Sequence, residues 1–250
     1  MLHFDDIVFG PIVSRRLGSS LGVNTLPSKG KLCNFDCVYC ECGWNKDGIA
    51  EKRFPTLKEV EAALEDKLKT LCSDGTKVDS ITFSGNGEPT LNPDFPGIID
   101  ATIRLRDEYF PSAKVSVLSN ATMLDKESVF AALKKVDNPI LKIDASSDSL
   151  IYKINKPQGA YKLDKVVEGL MRFEGDFVLQ TMFLKSPDFD LTDTLEAWRD
   201  LVRRLKPREV MVYTIDRETP DSRLGKYTVE QMRDFVAPLL DEGFEIQIRG

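Results

Sequence analysis

The sequence predicts an α/β fold built on parallel strands. Short runs rich in Val, Ile and Phe recur at residues 21–26, 78–83, 114–118, 139–144, 177–184, 209–214 and 244–248. Amphipathic stretches separate them, and strands that alternate with helices pair in parallel through right-handed crossovers. These seven strand candidates are too few for a comfortable eight-stranded barrel.

The elements follow in order. The first run, 21–26, leads into a loop crowded with cysteines. Thr56-Leu57-Lys58-Glu59 is a capping box, and Leu57, Val60, Leu64, Leu68 and Leu71 then share one helical face. Run 78–83 ends in the glycine turn Ser84-Gly85-Asn86-Gly87-Glu88-Pro89, and run 114–118 ends at Ser119 and Asn120. Run 139–144 carries Lys142 and Asp144 on one face, because strand side chains alternate. Leu195, Trp198, Leu201, Val202 and Leu205 form a second apolar helix face after run 177–184. After run 209–214, Thr228 and Gln231 open a third helix, with Met232, Phe235, Val236, Leu239 and Leu240 on its apolar side.

Composition narrows the function. Apolar content of 42% and charge of 30% are ordinary for a globular protein. No apolar run is long enough for a membrane span, and the N-terminus lacks an export signal. A cytoplasmic setting without membrane attachment is expected, where thiols stay reduced. The net charge of −6 weighs against a polyanionic partner such as nucleic acid. An odd count of five Cys argues against a disulfide framework, and a single His argues against common zinc sites.

Cys33, Cys37 and Cys40 are separated by three and two residues, with Tyr39 directly before the third. Three thiolates this close can grip three corners of one iron–sulfur cube and leave an iron open for chemistry. The pattern Cys33-x-x-x-Cys37-x-x-Cys40 with Tyr39 resembles the signature loop of the radical SAM superfamily, and the likeness extends through nearly the whole chain. The resemblance implies a single domain over residues 1–250. Its fold would be a partial (β/α)6 TIM-like barrel, with the last strand as an extra edge. It implies that Cys33, Cys37 and Cys40 hold a 4Fe–4S cluster whose open iron is chelated by S-adenosylmethionine (SAM). One electron would then cleave SAM to a 5′-deoxyadenosyl radical that abstracts hydrogen from a substrate. An electron donor such as flavodoxin or ferredoxin is implied as partner.

Ligand sites in parallel β/α folds form at the C-terminal ends of strands. Gly85, Asn86, Gly87 and Glu88 resemble the superfamily's Gly-Gly-Glu-Pro motif for the SAM amino group, with Asn86 as a departure. Ser119 and Asn120 match where the family holds the SAM ribose or carboxylate; a simple turn or helix cap before Thr122 is the alternative. Tyr39 would pack near adenine through its backbone. Gln180 would touch SAM or serve core bonding. Lys142 in a strand is expensive unless paired, with Asp144 as nearest partner. The two would form a structural ion pair or face the ribose or substrate, and Lys142 could form a Schiff base with a carbonyl substrate.

The block from Asp144 to Pro157, together with residues 85–91, resembles the radical SAM branch that includes the wyosine-type tRNA-modifying enzymes, which condense a tRNA guanosine with pyruvate. Members acting on tRNA carry additional cysteines before the signature loop, and no Cys precedes Cys33. The substrate class therefore stays open between a small molecule, a peptide and tRNA. A glycyl-radical activase and a non-enzymatic iron–sulfur carrier or sensor are the other readings. A carrier would need Cys42 or Cys72 as fourth ligand. Arg15, Arg16 and Arg217 are candidates to grip a carboxylate or phosphate.

Overall fold

The computed structural model describes residues 4–14, 17–47 and 53–250. The chain runs through β1 (Val8–Ser14), β2 (Gly18–Val23), α1 (Leu57–Ser73), β3 (Ser80–Phe83), α2 (Phe95–Tyr109), β4 (Lys114–Ser119), α3 (Glu127–Leu133) and β5 (Asn138–Lys142). It continues through α4 (Asp148–Ile154), α5 (Leu163–Met171), β6 (Val178–Met182), β7 (Leu184–Lys185), α6 (Leu195–Leu205) and β8 (Glu209–Tyr213). The last elements are β9 (Gly225–Lys226), α7 (Val229–Asp241) and β10 (Ile246–Arg249).

One sheet orders the strands β1-β2-β3-β4-β5-β6-β8-β10, and every pair from β2 onward is parallel. β1 and β10 are its two edges, so the sheet curls into a half-barrel without closing. All seven predicted strands are present, and β10 is the extra parallel edge. β1, antiparallel to β2, was not foreseen. The run predicted at 21–26 shifts to Gly18–Val23 because Asn24 turns the chain, its Oδ1 accepting from Leu26 N at 3.2 Å. The run predicted at 139–144 stops at Lys142, since the Asp144 carboxylate accepts from Met182 N at 2.9 Å.

The outer face of the sheet buries Leu21, Val23, Ile81, Phe83, Val115, Val117, Leu141 and Leu179 under the helices. The inner face is more polar. Ile140, Val178 and Met211 form a small separate cluster there. Beside it runs a ladder of hydroxyls: Ser20 to Thr82 at 2.7 Å, Thr82 to Ser80 at 3.0 Å and Ser80 to Ser116 at 3.0 Å. Each buried hydroxyl finds a partner, which removes most of its desolvation cost.

Both predicted capping boxes are formed. Thr56 accepts from Glu59 N and Thr228 from Gln231 N, with the reciprocal bonds in place. The burial of Val60, Leu64, Leu68 and Leu71 follows from the phase these caps set. Replacing Thr56→Ala is expected to lower stability by about 1 kcal/mol. Thermal or urea unfolding checks this; no change would mean that packing alone fixes the start of α1.

Candidate functional site

The cysteine loop follows β2 and is held by a buried knot. Lys31 Nζ reaches Asp36 Oδ1 at 3.1 Å and donates to Gly43 O at 3.0 Å. Asn45 donates from its backbone to Asp36 Oδ1 at 2.8 Å and from its side chain to Cys33 O at 3.0 Å and Phe35 O at 3.1 Å. The loop docks on the end of α4 through Val38 N to Ile154 O at 2.9 Å and Asp36 N to Asn155 O at 2.8 Å. It docks on the turn after β3 through a bridge between Leu32 and Gly87.

That bridge explains Gly87. Its φ is +140°, and a Cβ there would lie 1.9 Å from Leu32 O. Leu32 N donates to Asn86 O at 2.8 Å and Glu88 N to Leu32 O at 3.2 Å. Gly85 is similarly crowded, because a Cβ would meet Asn24 Oδ1 at 2.4 Å.

The half-buried Cys33, Cys37 and Cys40 line one cavity of about 230 Å³ at the strand ends. Gly85, Gly87 and Glu88 face them from the turn after β3, and Ser119 and Asn120 from the end of β4. Lys142, Gln180, Tyr213 and Tyr39 complete the wall. Among the described residues no three His, Cys, Asp or Glu side chains close on a single ion position. Thiolates bound to different irons of one cube need no such common point, so a shared cavity wall suits a cluster.

Glu88 is buried and fully oriented. Its Oε1 accepts from Thr90 Oγ1 at 2.6 Å and Ser119 Oγ at 2.8 Å, and its Oε2 from Asn120 N at 2.7 Å. Burial pushes its pKa up, against these donors. Asn120 Nδ2 also donates to Asn34 Oδ1 at 2.7 Å and lies 3.8 Å from Cys33 Sγ.

A second network stands across the cavity. Tyr39 donates its phenol to Asp144, whose other partners are Asn155 Nδ2 at 2.6 Å and Met182 N at 2.9 Å. Asn155 Nδ2 is also 3.3 Å from Cys37 Sγ. Lys142 Nζ donates to Tyr39 Oη at 2.8 Å and Tyr213 Oη at 2.6 Å, and lies 3.9 Å from Asp144. Burial works against the Lys142 charge, but Asp144 and Tyr213 outweigh it and raise its pKa. Held as an ammonium, Lys142 lacks the lone pair that Schiff-base formation requires.

Two of the predicted site residues stand off the cavity. Asn86 is fully buried and spends its side chain on Phe4 N at 2.9 Å, Phe4 O at 2.9 Å and Pro27 O at 3.0 Å. Asp144 sits behind Tyr39 and Lys142 and acts through them. Arg15 and Arg16 lie outside the described residues. Arg217 pairs with Glu41 at the rim, and Cys72 is exposed at the end of α1, at the opposite end of the strands. Lys31, Asn34, Asn45 and Asn155 were not singled out in the sequence. The closeness of Lys31, Asn34 and Asn45 to the cysteines offered one signal, and Asn155 lies in the 144–157 block that resembles the wyosine-type branch.

The thiols differ electrostatically. A hydrogen bond from Cys42 and the Lys31 cation hold Cys40 down at about 6, while burial pushes Cys37 up to about 11. Thiolate is the reactive form. In cluster-free protein under argon, Cys40 is expected to alkylate first, its rate levelling off above a midpoint near pH 6, with Cys37 rising only in strong alkali. Mass-spectrometric mapping against pH checks the order, and equal rates would contradict it. Gly87→Ala is expected to cost more than about 1 kcal/mol and most of the iron bound after reconstitution; retained iron would show that the Leu32 bridge is dispensable.

A family model described as the radical SAM superfamily matches residues 28–175. A UPF0026 protein of Helicobacter pylori is 32% identical over 215 residues, spanning 84% of this chain and 67% of its own. A UPF0026 protein of Methanocaldococcus jannaschii is 28% identical over 236 residues, spanning 92% of this chain and 70% of its own. A radical SAM methyltransferase structure from Sphaerobacter thermophilus shares the fold, with a TM-score of 0.69 at 18% identity. The match covers 92% of this chain and 65% of the methyltransferase. With the half-barrel and the cysteine-lined cavity at its strand ends, these matches place the chain in the radical SAM superfamily, among its UPF0026 relatives.

Proposed function

We propose that this protein is a radical SAM enzyme in which Cys33, Cys37 and Cys40 bind a 4Fe–4S cluster and Gly85, Gly87 and Glu88, with Ser119 and Asn120, hold the methionine part of SAM. The observation that carries the reading is that three thiols and one buried, pre-oriented carboxylate share a single cavity at the strand ends. When bound, the cluster and SAM supply the electron and the 5′-deoxyadenosyl radical that abstracts hydrogen from the substrate.

The chain's own residues have definable tasks. Glu88 is fixed by its donors before any ligand arrives, so an ammonium meets an acceptor that needs no reorganisation. Asn120 and Asn155 direct N–H groups at Cys33 and Cys37, and hydrogen bonds to cluster sulfurs tune reduction potential. The Tyr39 phenol is committed to Asp144, which leaves its backbone to face adenine. A reductant such as flavodoxin or ferredoxin is the required partner. An oxygen-sensitive cluster suits a cytoplasmic setting, and no described helix is long and apolar enough to cross a membrane.

An electron carrier would need a fourth ligand, and neither candidate supports that reading. Cys72 sits at the far end of α1, and Cys42 is only two residues past Cys40, too near to reach the remaining corner of the cube. No contact in the cavity favours tRNA over a smaller substrate.

The test is anaerobic. Reconstituted protein given SAM and dithionite is expected to form 5′-deoxyadenosine, detected by mass spectrometry, and Cys37→Ala is expected to form none. Glu88→Gln is expected to weaken SAM binding roughly tenfold or more, the loss of one charge-assisted hydrogen bond. A loaded cluster that binds no SAM would sink the proposal.

A further inference from the structure

The cysteine-lined cavity has a neighbour. A second cavity of about 360 Å³ lies between the turn after β4 and residues 157–162. Phe35 lines both cavities, and Asn34, next to Cys33, lines the second. These two residues of the cysteine loop stand between the thiols and the second cavity. Hydrogen bonds run through that wall. Asn34 Oδ1 accepts from Asn120 Nδ2 at 2.7 Å, Asn34 Nδ2 donates to Thr122 Oγ1 at 2.6 Å, and Asn34 O accepts from Gln158 N at 2.8 Å. Asn120 Nδ2 in turn lies 3.8 Å from Cys33 Sγ.

The floor of this cavity is apolar and its rim is basic. Phe35, Leu124, Tyr161 and Val166 form the floor. At the mouth Gly159 and Ala160 are exposed, and a Cβ on Gly159 would meet nothing within 4 Å, so another surface can approach the backbone closely. Lys162 and Lys165 line the cavity against one carboxylate, Asp125. Their ion pairs with Asp148 and Glu168, both at 2.9 Å, are exposed and weak enough to exchange for the carboxylates of a partner. Lys153 and Lys156 extend the rim and form no ion pair among the described residues. Lys153 donates to Asp188 O at 3.3 Å. Lys156 sits over the Trp44 ring at 4.5 Å and exerts only a longer-range pull on Asp221. This rim belongs to a chain whose net charge is −6.

We propose that this face docks an acidic flavoprotein reductant, with the edge of its flavin ring over the cavity floor. The proposal rests on the reading of Cys33, Cys37 and Cys40 as cluster ligands, and names the face through which the electron enters. In that reading SAM and substrate fill the cavity side of the loop, which leaves its outer side to a protein partner. The reduced flavin loses one electron and the cluster gains it; no atom is transferred. The apolar ring edge suits the floor, and carboxylates around it meet the lysines, which steers encounter and fixes orientation. Electron-transfer contacts are small and transient, as suits a face centred on one cavity.

The experiment uses reconstituted full-length protein and purified flavodoxin as probe. Calorimetry reads affinity for oxidised flavodoxin, and stopped-flow absorbance reads electron transfer from the reduced form. The double variant Lys156→Glu/Lys162→Glu is expected to weaken flavodoxin binding roughly tenfold or more and to slow electron transfer in parallel. Dithionite, a small ion that needs no docking, is expected to reduce the cluster of that variant to the wild-type extent, read by electron paramagnetic resonance. Lys58→Glu/Arg204→Glu makes the same change of net charge on α1 and α6, and is expected to bind flavodoxin within about twofold of wild type. Wild-type affinity is expected to fall as salt rises. Unchanged flavodoxin affinity in Lys156→Glu/Lys162→Glu overturns this proposal alone. So does an equal loss in both double variants, or wild-type protein that binds SAM and is reduced by dithionite but binds no flavodoxin. Wild-type protein that holds no cluster or binds no SAM overturns the parent reading and this one with it.

Discussion

The bridge between Leu32 and Gly87 ties the two halves of the site together. Leu32 immediately precedes Cys33, and Gly87 immediately precedes Glu88, so one pair of backbone hydrogen bonds sets the distance between the Cys33 thiol and the Glu88 carboxylate. Two loops separated by more than fifty residues of sequence are thereby placed in register. The cost is a glycine at φ +140°, because any Cβ would strike the Leu32 carbonyl. Everything downstream inherits this constraint: the turn of the cysteine loop, the Lys31–Asp36–Asn45 knot that closes it, and the orientation of Glu88 toward Asn120.

Charge balance is the second condition the fold meets. Three thiols and a carboxylate in one cavity repel one another once ionised, and burial raises that cost. The Glu88 charge helps to push Cys33 upward in pKa. Lys31 stands behind the loop as the counterweight, its own charge favoured by the three thiolates against burial. Lys142 does the same for Cys37 from the opposite wall. The two cations differ in their surroundings. Lys31 is capped by Asp36 and a carbonyl, while Lys142 donates to two phenols, lies 3.9 Å from Asp144 and borders the cavity.

Legibility in the sequence followed the range of the interactions. Parallel strands read clearly because each is buried on its outer face and carries β-branched runs, and the capping boxes at Thr56 and Thr228 read clearly because they are local. β1 escaped notice since its Phe-Gly-Pro-Ile core has a turn-like composition, and only pairing with β2 makes it a strand. In the site, the cysteines were legible as a contiguous spacing. Asn155 was not, because its contact with Cys37 spans 118 residues and exists only once α4 docks on the loop. Asn34 and Lys31 sat beside the motif but gained their roles from Asn120 and Gly43, which no local pattern announces.

Asn86 shows why a departure from a motif need not be a departure in function. Placed between two glycines, it departs from the Gly-Gly-Glu-Pro pattern that the turn otherwise resembles. In the fold its side chain points away from the cavity and ties Phe4 and Pro27 to the turn, while its backbone carbonyl accepts from Leu32 N at 2.8 Å. The glycines on either side are needed for close approach to Asn24 and to Leu32, whereas position 86 needs only a backbone and a side chain that can satisfy buried carbonyls. An amide does both, since it donates twice and accepts once here. The polar side chain therefore anchors the N-terminal segment from behind, and the cavity side of the turn keeps the features that a ligand would meet: two bare glycine backbones and the carboxylate of Glu88.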